Sequence, residues 1–130
     1  MRCTVVALAA GLSLCAAGAF AQSYPTKPIR FVVPFAPGGT SEIVARATAA
    51  EMTRSMGQSL VVENKAGGAG NVAMVDVAKS APDGYTIILG HVGTLAVNPY
   101  VFEKLPFDTN ADFQPVSLIT KVPNLFVVNA

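Results

Sequence analysis

The chain contains no tryptophan, one histidine (His91) and only two cysteines, Cys3 and Cys15, both near its start. Zinc and other transition-metal centres draw several ligands from histidine, cysteine and carboxylates, and no second histidine or carboxylate cluster accompanies His91 in the sequence. A catalytic general base needs an oriented partner, which His91 equally lacks nearby. Charge is sparse and balanced, nine basic residues against eight acidic, which excludes the basic footprint used to bind nucleic acid. No Gly-Lys-Ser or Gly-Lys-Thr phosphate loop occurs, nor any heptad run, repeat or low-complexity tract. These gaps leave no expected cofactor, metal or nucleic-acid partner.

The N-terminal segment differs from the rest. Arg2 is its only charge, Val5 to Ala17 is uncharged, and Ala19-Phe20-Ala21 has the small-x-small form of a cleavage site. The apolar run is shorter than the roughly 20 residues a spanning helix needs. Residues 1–21 are therefore expected to be a secretory signal, with no stable membrane insertion after cleavage. Cleavage removes both cysteines, and with them any disulfide, thiolate ligand or cysteine nucleophile. It also removes Arg2 and leaves the mature chain formally neutral. Residues 22–130 suit one domain.

The mature chain alternates strand, loop and helix. Ile29-Arg30-Phe31-Val32-Val33-Pro34-Phe35 predicts a buried strand closed by proline, and Ala36-Pro37-Gly38-Gly39 a loop. Thr40 has the chemistry of an N-cap for a helix over Ser41–Met56. Glu42 complements the dipole of that helix and precedes Arg46 by four residues, the favourable order for a charge pair. Ile43, Ala45, Ala49, Met52 and Met56 are its expected buried stripe, and Gly57 its left-handed stop. Leu60–Glu63 predicts a second strand, Lys65–Gly70 a second glycine loop, and Asn71 the cap of a helix to Lys79. After the Pro82-Asp83-Gly84 turn, Tyr85–Leu89 predicts a third strand. Asn98–Leu105 suggests a helical turn, and Pro115–Thr120 and Leu125–Asn129 look extended. Tyr100, Phe102 and Phe113 are expected to pack beneath the intervening loop, since no basic residues interleave with them for base stacking. The whole predicts an α/β fold, a parallel sheet with flanking helices and right-handed crossovers.

In such a sheet all three strands end at one edge, where open α/β sheets bind ligands. Here the strand ends run into Ala36–Ser41, Gly67–Asn71 and His91–Thr94. Glycine admits close backbone approach, and first-turn amides of a helix have no partner within it, so adjacent helix starts suit an anion. Lys65 is the only cation in these loops, which fits a small carboxylate better than a polyphosphate. The plainer alternative is that Gly38, Gly39, Gly67 and Gly70 only permit tight turns. Gly68-Ala69-Gly70-Asn71-Val72-Ala73 also fits the dinucleotide pattern G-x-G-x-x-A. The acidic ribose ligand expected after the next strand is missing, however, because Leu89-Gly90-His91 stands there. His91 reads as a loop or rim residue, and Glu42 as a dipole and pairing residue rather than an acid catalyst.

Tyr24-Pro25-Thr26-Lys27-Pro28-Ile29-Arg30, running into Val33-Pro34-Phe35-Ala36-Pro37-Gly38-Gly39, resembles the tripartite tricarboxylate transporter receptors, or Bug proteins. The likeness continues through Val61-Val62-Glu63-Asn64, Gly70-Asn71, Pro82-Asp83-Gly84-Tyr85-Thr86, Gly93-Thr94, Asn98-Pro99, Leu105-Pro106-Phe107-Asp108 and Asp112-Phe113. It implies a periplasmic-binding-protein-like (type II) lobe, the first of two that close over a small organic acid. It further implies a periplasmic location, and membrane transporter subunits or a sensor as partners. No enzymatic activity is expected. Carried over by position, the ligand contacts would be Phe35, Ala36, Gly38, Gly39, Ser41, Gly70, Asn71, His91, Gly93 and Thr94.

Two positions depart from the family pattern: Glu42 stands where Asp is usual, and Ala69 adds a Cβ within the second glycine loop. Family members have roughly twice this length, so the chain is expected to be an N-terminal portion ending before the second lobe. A non-binding remnant of such a receptor is the alternative, with a dinucleotide-binding enzyme domain behind it.

Overall fold

The computed structural model describes residues 23–123 and 127–128. The expected signal, residues 1–21, lies outside them, as does most of the 125–129 segment. Strand β1 (Ile29–Val33) forms the centre of a three-stranded sheet of order β2-β1-β3, with β2 (Leu60–Asn64) and β3 (Thr86–Ile88) both parallel to it. Ile29 pairs with Leu60 and Val33 with Asn64 on one side, and Arg30 with Thr86 and Val32 with Ile88 on the other. All three strands therefore point the same way. β1 ends two residues earlier than the sequence predicts, before Pro34, which has no amide hydrogen to donate; β2 runs one residue further, to Asn64, and β3 is a residue shorter at each end.

Helix α1 (Thr40–Met56) connects β1 to β2, and α2 (Asn71–Ala78) connects β2 to β3. Pleating divides β1 between them. Ile29, Phe31 and Val33 form one core with Ala45 and Ala49 of α1, flanked by Met52 and Met56. Each large side chain so buried contributes about 1.5–3 kcal/mol. On the opposite pleat Arg30 reaches Asp76 of α2, while Val32, Ala73 and Met74 are inaccessible. Ile43 does not join the buried stripe; it is 67% exposed. At about 100° per residue it lies on the far side of the helix from Ala45.

Two capping expectations are corrected. Gly39, in extended conformation, is the N-cap of α1, and Thr40 is its first helical residue. Gly70 caps α2, and Asn71 makes no capping bond. Gly57 does end α1 in the left-handed region, at φ 69°. Beyond β3 a π-helical turn (Gly93–Val97) leads into a short helix, α3 (Asn98–Val101). Tyr100 is 90% exposed, so it packs under nothing. Phe102 is also exposed, whereas Phe113 meets the buried Phe107 edge-on, with centroids 5.9 Å apart. Residues 115–120 pair with no strand among the described residues. Among those residues no helix is long and apolar enough to cross a membrane.

Candidate functional site

The order β2-β1-β3 sends the chain from β1 to β2 on one side and then across to β3 on the other. In open α/β sheets the carboxyl edge beside such a reversal is the usual ligand position. The first and third loops flank it, and the ring of Phe35 meets that of His91 there edge-on, with centroids 5.0 Å apart. The second loop closes against both. An ideal Cβ on Gly70 would sit 2.5 Å from Thr94 Cγ2 and 3.3 Å from Pro34 Cβ, so the three loops touch at this glycine.

Asparagines bind the loops together. Asn64, at the end of β2, donates through Nδ2 to the Phe35 carbonyl at 3.1 Å. Asn98 donates to the Ala69 carbonyl at 3.0 Å and to Asn71 Oδ1 at 2.7 Å. Neither asparagine is marked out by residue type or spacing alone. Each belongs to a motif quoted above, and both follow or precede the glycine loops rather than lying in them.

Several rim amides are already occupied. The Gly38 N–H donates to Glu42 Oε2 at 2.5 Å, and Glu42 Oε1 pairs with Arg46 at 2.6 Å. The Gly38 amide, with help from Arg46, holds the Glu42 carboxyl below its usual range. The Gly70 N–H goes to the Gly67 carbonyl and that of Asn71 to Gly68. Gly93 donates its amide to His91 Nδ1 at 3.0 Å, which places the ring proton on Nε2. The amides of Gly39, Thr40, Ser41, Gly68 and Ala69 find no acceptor among the described residues. These five, with the Nε2–H of His91, are donors that an anion could use.

The candidate residues separate into two groups. Ala36, Gly38, Gly39 and His91 are exposed, and Phe35, Ser41, Asn71 and Gly93 are half-buried. Gly70 and Thr94 are buried. The Thr94 hydroxyl is spent on His91, donating to its carbonyl at 3.0 Å and accepting its amide at 3.4 Å. Lys65, the sole cation of these loops, is held away by Asp76 at 3.0 Å. Asp76 and Glu63 also pair with Arg30, forming a four-charge network on the α2 side of the sheet. The rim thus presents neutral donors rather than formal positive charge. His91 has no carboxylate partner among the described residues.

Two hollows lie away from this edge. One of about 280 Å³ is lined by Phe102, Leu105, Phe107 and Asp108 among others, and one of about 420 Å³ by Arg46, Ala49, Thr53 and Leu60. Neither includes a candidate residue.

Residues 44–130 match the family described as Tripartite tricarboxylate transporter family receptor. The protein BugT of Bordetella pertussis is 40% identical over 115 residues, spanning 88% of this chain and 35% of BugT. MatC from Rhodopseudomonas palustris, solved with bound malate, superposes with a TM-score of 0.71 at 43% identity, over 74% of this chain and 33% of MatC. The R. palustris protein Rpa4515, solved with adipate, gives 0.65 at 41% identity, over 67% of this chain and 29% of its own. The chain thus spans about a third of the length of the relatives it matches, and shares with periplasmic binding proteins a parallel sheet flanked by helices. On its sequence and on its fold, the chain belongs to the tripartite tricarboxylate transporter receptor, or Bug, family.

Proposed function

We propose that the chain forms the first lobe of an exported receptor that binds a small carboxylate at the carboxyl edge of β1 and β3, without catalysing a reaction. The observation that carries this reading is the set of amides at Gly39, Thr40, Ser41, Gly68 and Ala69, which have no acceptor among the described residues yet share one sheet edge. Carboxylate oxygens accept from such donors, and helix starts favour negative charge. Phe35, Ala36, Gly38 and Gly93 shape the site, His91 adds its Nε2–H, Asn71 adds its side chain, and Gly70 and Thr94 hold the loops together. Malate and adipate in the related structures are acids of the class this chemistry would hold. Delivery to membrane transporter subunits, or to a sensor, would follow from family membership. Residues 1–21 would be removed on export to the periplasm.

A thermal-shift screen of the chain with mono-, di- and tricarboxylates tests the binding claim. At least one acid should raise the melting temperature, and isosteric primary amides should not. Intact-mass measurement of the periplasmic product should show a chain beginning at Gln22. The absence of a shift with every acid would remove the binding claim, and recovery of uncleaved Met1 would remove the export claim.

A further inference from the structure

Asn98 is 95% buried, with 5% of its surface exposed, and begins α3 beneath the second glycine loop. Its Nδ2 lies 3.0 Å from the Ala69 carbonyl oxygen and 2.7 Å from Asn71 Oδ1. The two ends of an asparagine carboxamide look alike by shape and are told apart by their partners. Here one partner is unambiguous. A backbone carbonyl has no proton to donate, so the Asn98 end facing Ala69 must be its NH₂. That group offers its second hydrogen to Asn71, and the Asn71 end that receives it must be the carbonyl oxygen. The reverse orientation would set two acceptors against each other at hydrogen-bond distance inside the protein, an unpaired buried arrangement of the costly kind.

The consequence falls on the other end of Asn71. A carboxamide carries one acceptor oxygen and two N–H donors. With its oxygen held by buried Asn98, the end of Asn71 left without a partner is its NH₂, whose hydrogens find no acceptor among the described residues. Asn71 is half-buried at the rim, beside the Gly68 and Ala69 amides that likewise have no acceptor. A ligand group that itself donates would meet donors there, whereas a carboxylate would meet three sources of N–H.

We propose that Asn98 is a positioning residue: by holding the oxygen of Asn71 it fixes the orientation of that amide, leaves its N–H end free, and so favours a carboxylate at the second loop. The assignment deepens the carboxylate-receptor reading and rests on it. It names a residue that touches no ligand, and it ties the chemistry of the rim to one backbone carbonyl, that of Ala69.

The test uses the full chain and calorimetric titration with whichever of malate, adipate or citrate gives the largest thermal shift. Asn71→Asp is isosteric and keeps an oxygen for Asn98, but presents a carboxylate oxygen where wild type presents N–H. Its affinity should fall at least tenfold, the scale of a lost charge-assisted hydrogen bond, with the circular dichroism spectrum retained. Asn98→Ala should weaken binding about tenfold in wild type and cause no further loss in an Asn71→Ala background, because its effect passes through Asn71. A purely structural Asn98 would lower affinity by the same factor in both backgrounds, and that result overturns the proposal. Unchanged affinity in Asn71→Asp overturns it too, and does so without relying on an Asn98 variant that folds. If wild type binds none of the three acids, the receptor reading falls and this assignment with it; if wild type binds and either contrary result appears, this assignment falls alone.

Discussion

Gly70 is the point at which the three rim loops meet, and replacing it with alanine measures how firmly they are joined. Its φ of 90° is left-handed, a region that costs an L-residue about 1–2 kcal/mol. The added Cβ would lie 2.5 Å from Thr94 Cγ2, and Thr94 is fully buried with no space to retreat. Forcing a methyl group into filled space costs about 1–3 kcal/mol. The stiffer unfolded chain of alanine offsets about 0.4–1 kcal/mol of this. Gly70→Ala should therefore destabilise by about 2–4 kcal/mol, a large part of the roughly 5–15 kcal/mol that holds a domain together. Urea unfolding followed by circular dichroism would show this as a lowered midpoint at unchanged slope. Thr94→Ser removes Cγ2 but keeps the hydroxyl that bonds His91, so in the double variant it should recover roughly 1–2 kcal/mol of the steric part. A Gly70→Ala loss below about 1 kcal/mol, or strictly additive single and double variants, would refute the convergence of the loops.

Three further perturbations follow from the same geometry. Ala69 is a non-glycine residue at φ 55° on an exposed loop, so Ala69→Gly should stabilise the chain by up to about 1 kcal/mol in the same urea assay. Glu42 occupies the Gly38 amide at the rim, so Glu42→Gln should strengthen binding of dianionic adipate more than of monoanionic hexanoate, read by paired titrations. Pairing holds the Asp76 carboxyl below its ordinary 3.8, through Lys65 first and then Arg30, and the Glu63 carboxyl below 4.5, through Arg30 first. Groups depressed in the folded state stabilise above their ordinary values and lose that contribution as pH falls through the depressed ones. Stability should therefore decline in acid from just above pH 4.5 downward, by no more than about 1 kcal/mol for such partly exposed pairs. Asp76→Asn should flatten that decline.

The fold was legible because local signals agreed with one another. Apolar runs at Ile29–Val33 and Leu60–Asn64, a glycine loop after each, and helix periodicity between them admit little besides a parallel sheet. The capping errors share one cause. Thr40 and Asn71 carry favourable side chains, but extended Gly39 and left-handed Gly70 already turn the chain into each helix. Glu42 reaching back to Gly38 is a local, capping-box-like contact, whereas Asn98 reaching across to Asn71 is a tertiary choice that no local pattern encodes. Ile43 was misplaced for a simpler reason, two residues being more than half a helical turn. At the rim, glycine spacing picks out loops that the fold brings to one sheet edge, without distinguishing amides in use from amides without acceptors. That distinction rests on how each turn is closed, since the occupied amides of Gly38, Gly70, Asn71 and Gly93 are taken by Glu42, Gly67, Gly68 and His91, two to four residues away.

Amide-resolved NMR of the isotope-labelled chain, titrated with malate and adipate, addresses the central claim without requiring tight binding. The account predicts concentration-dependent shifts at Gly39, Thr40, Ser41, Gly68 and Ala69, with the amino-end strand residues Ile29 and Leu60 unmoved. Shifts confined to the opposite end of the sheet, or acids that move none of those five amides, would contradict it.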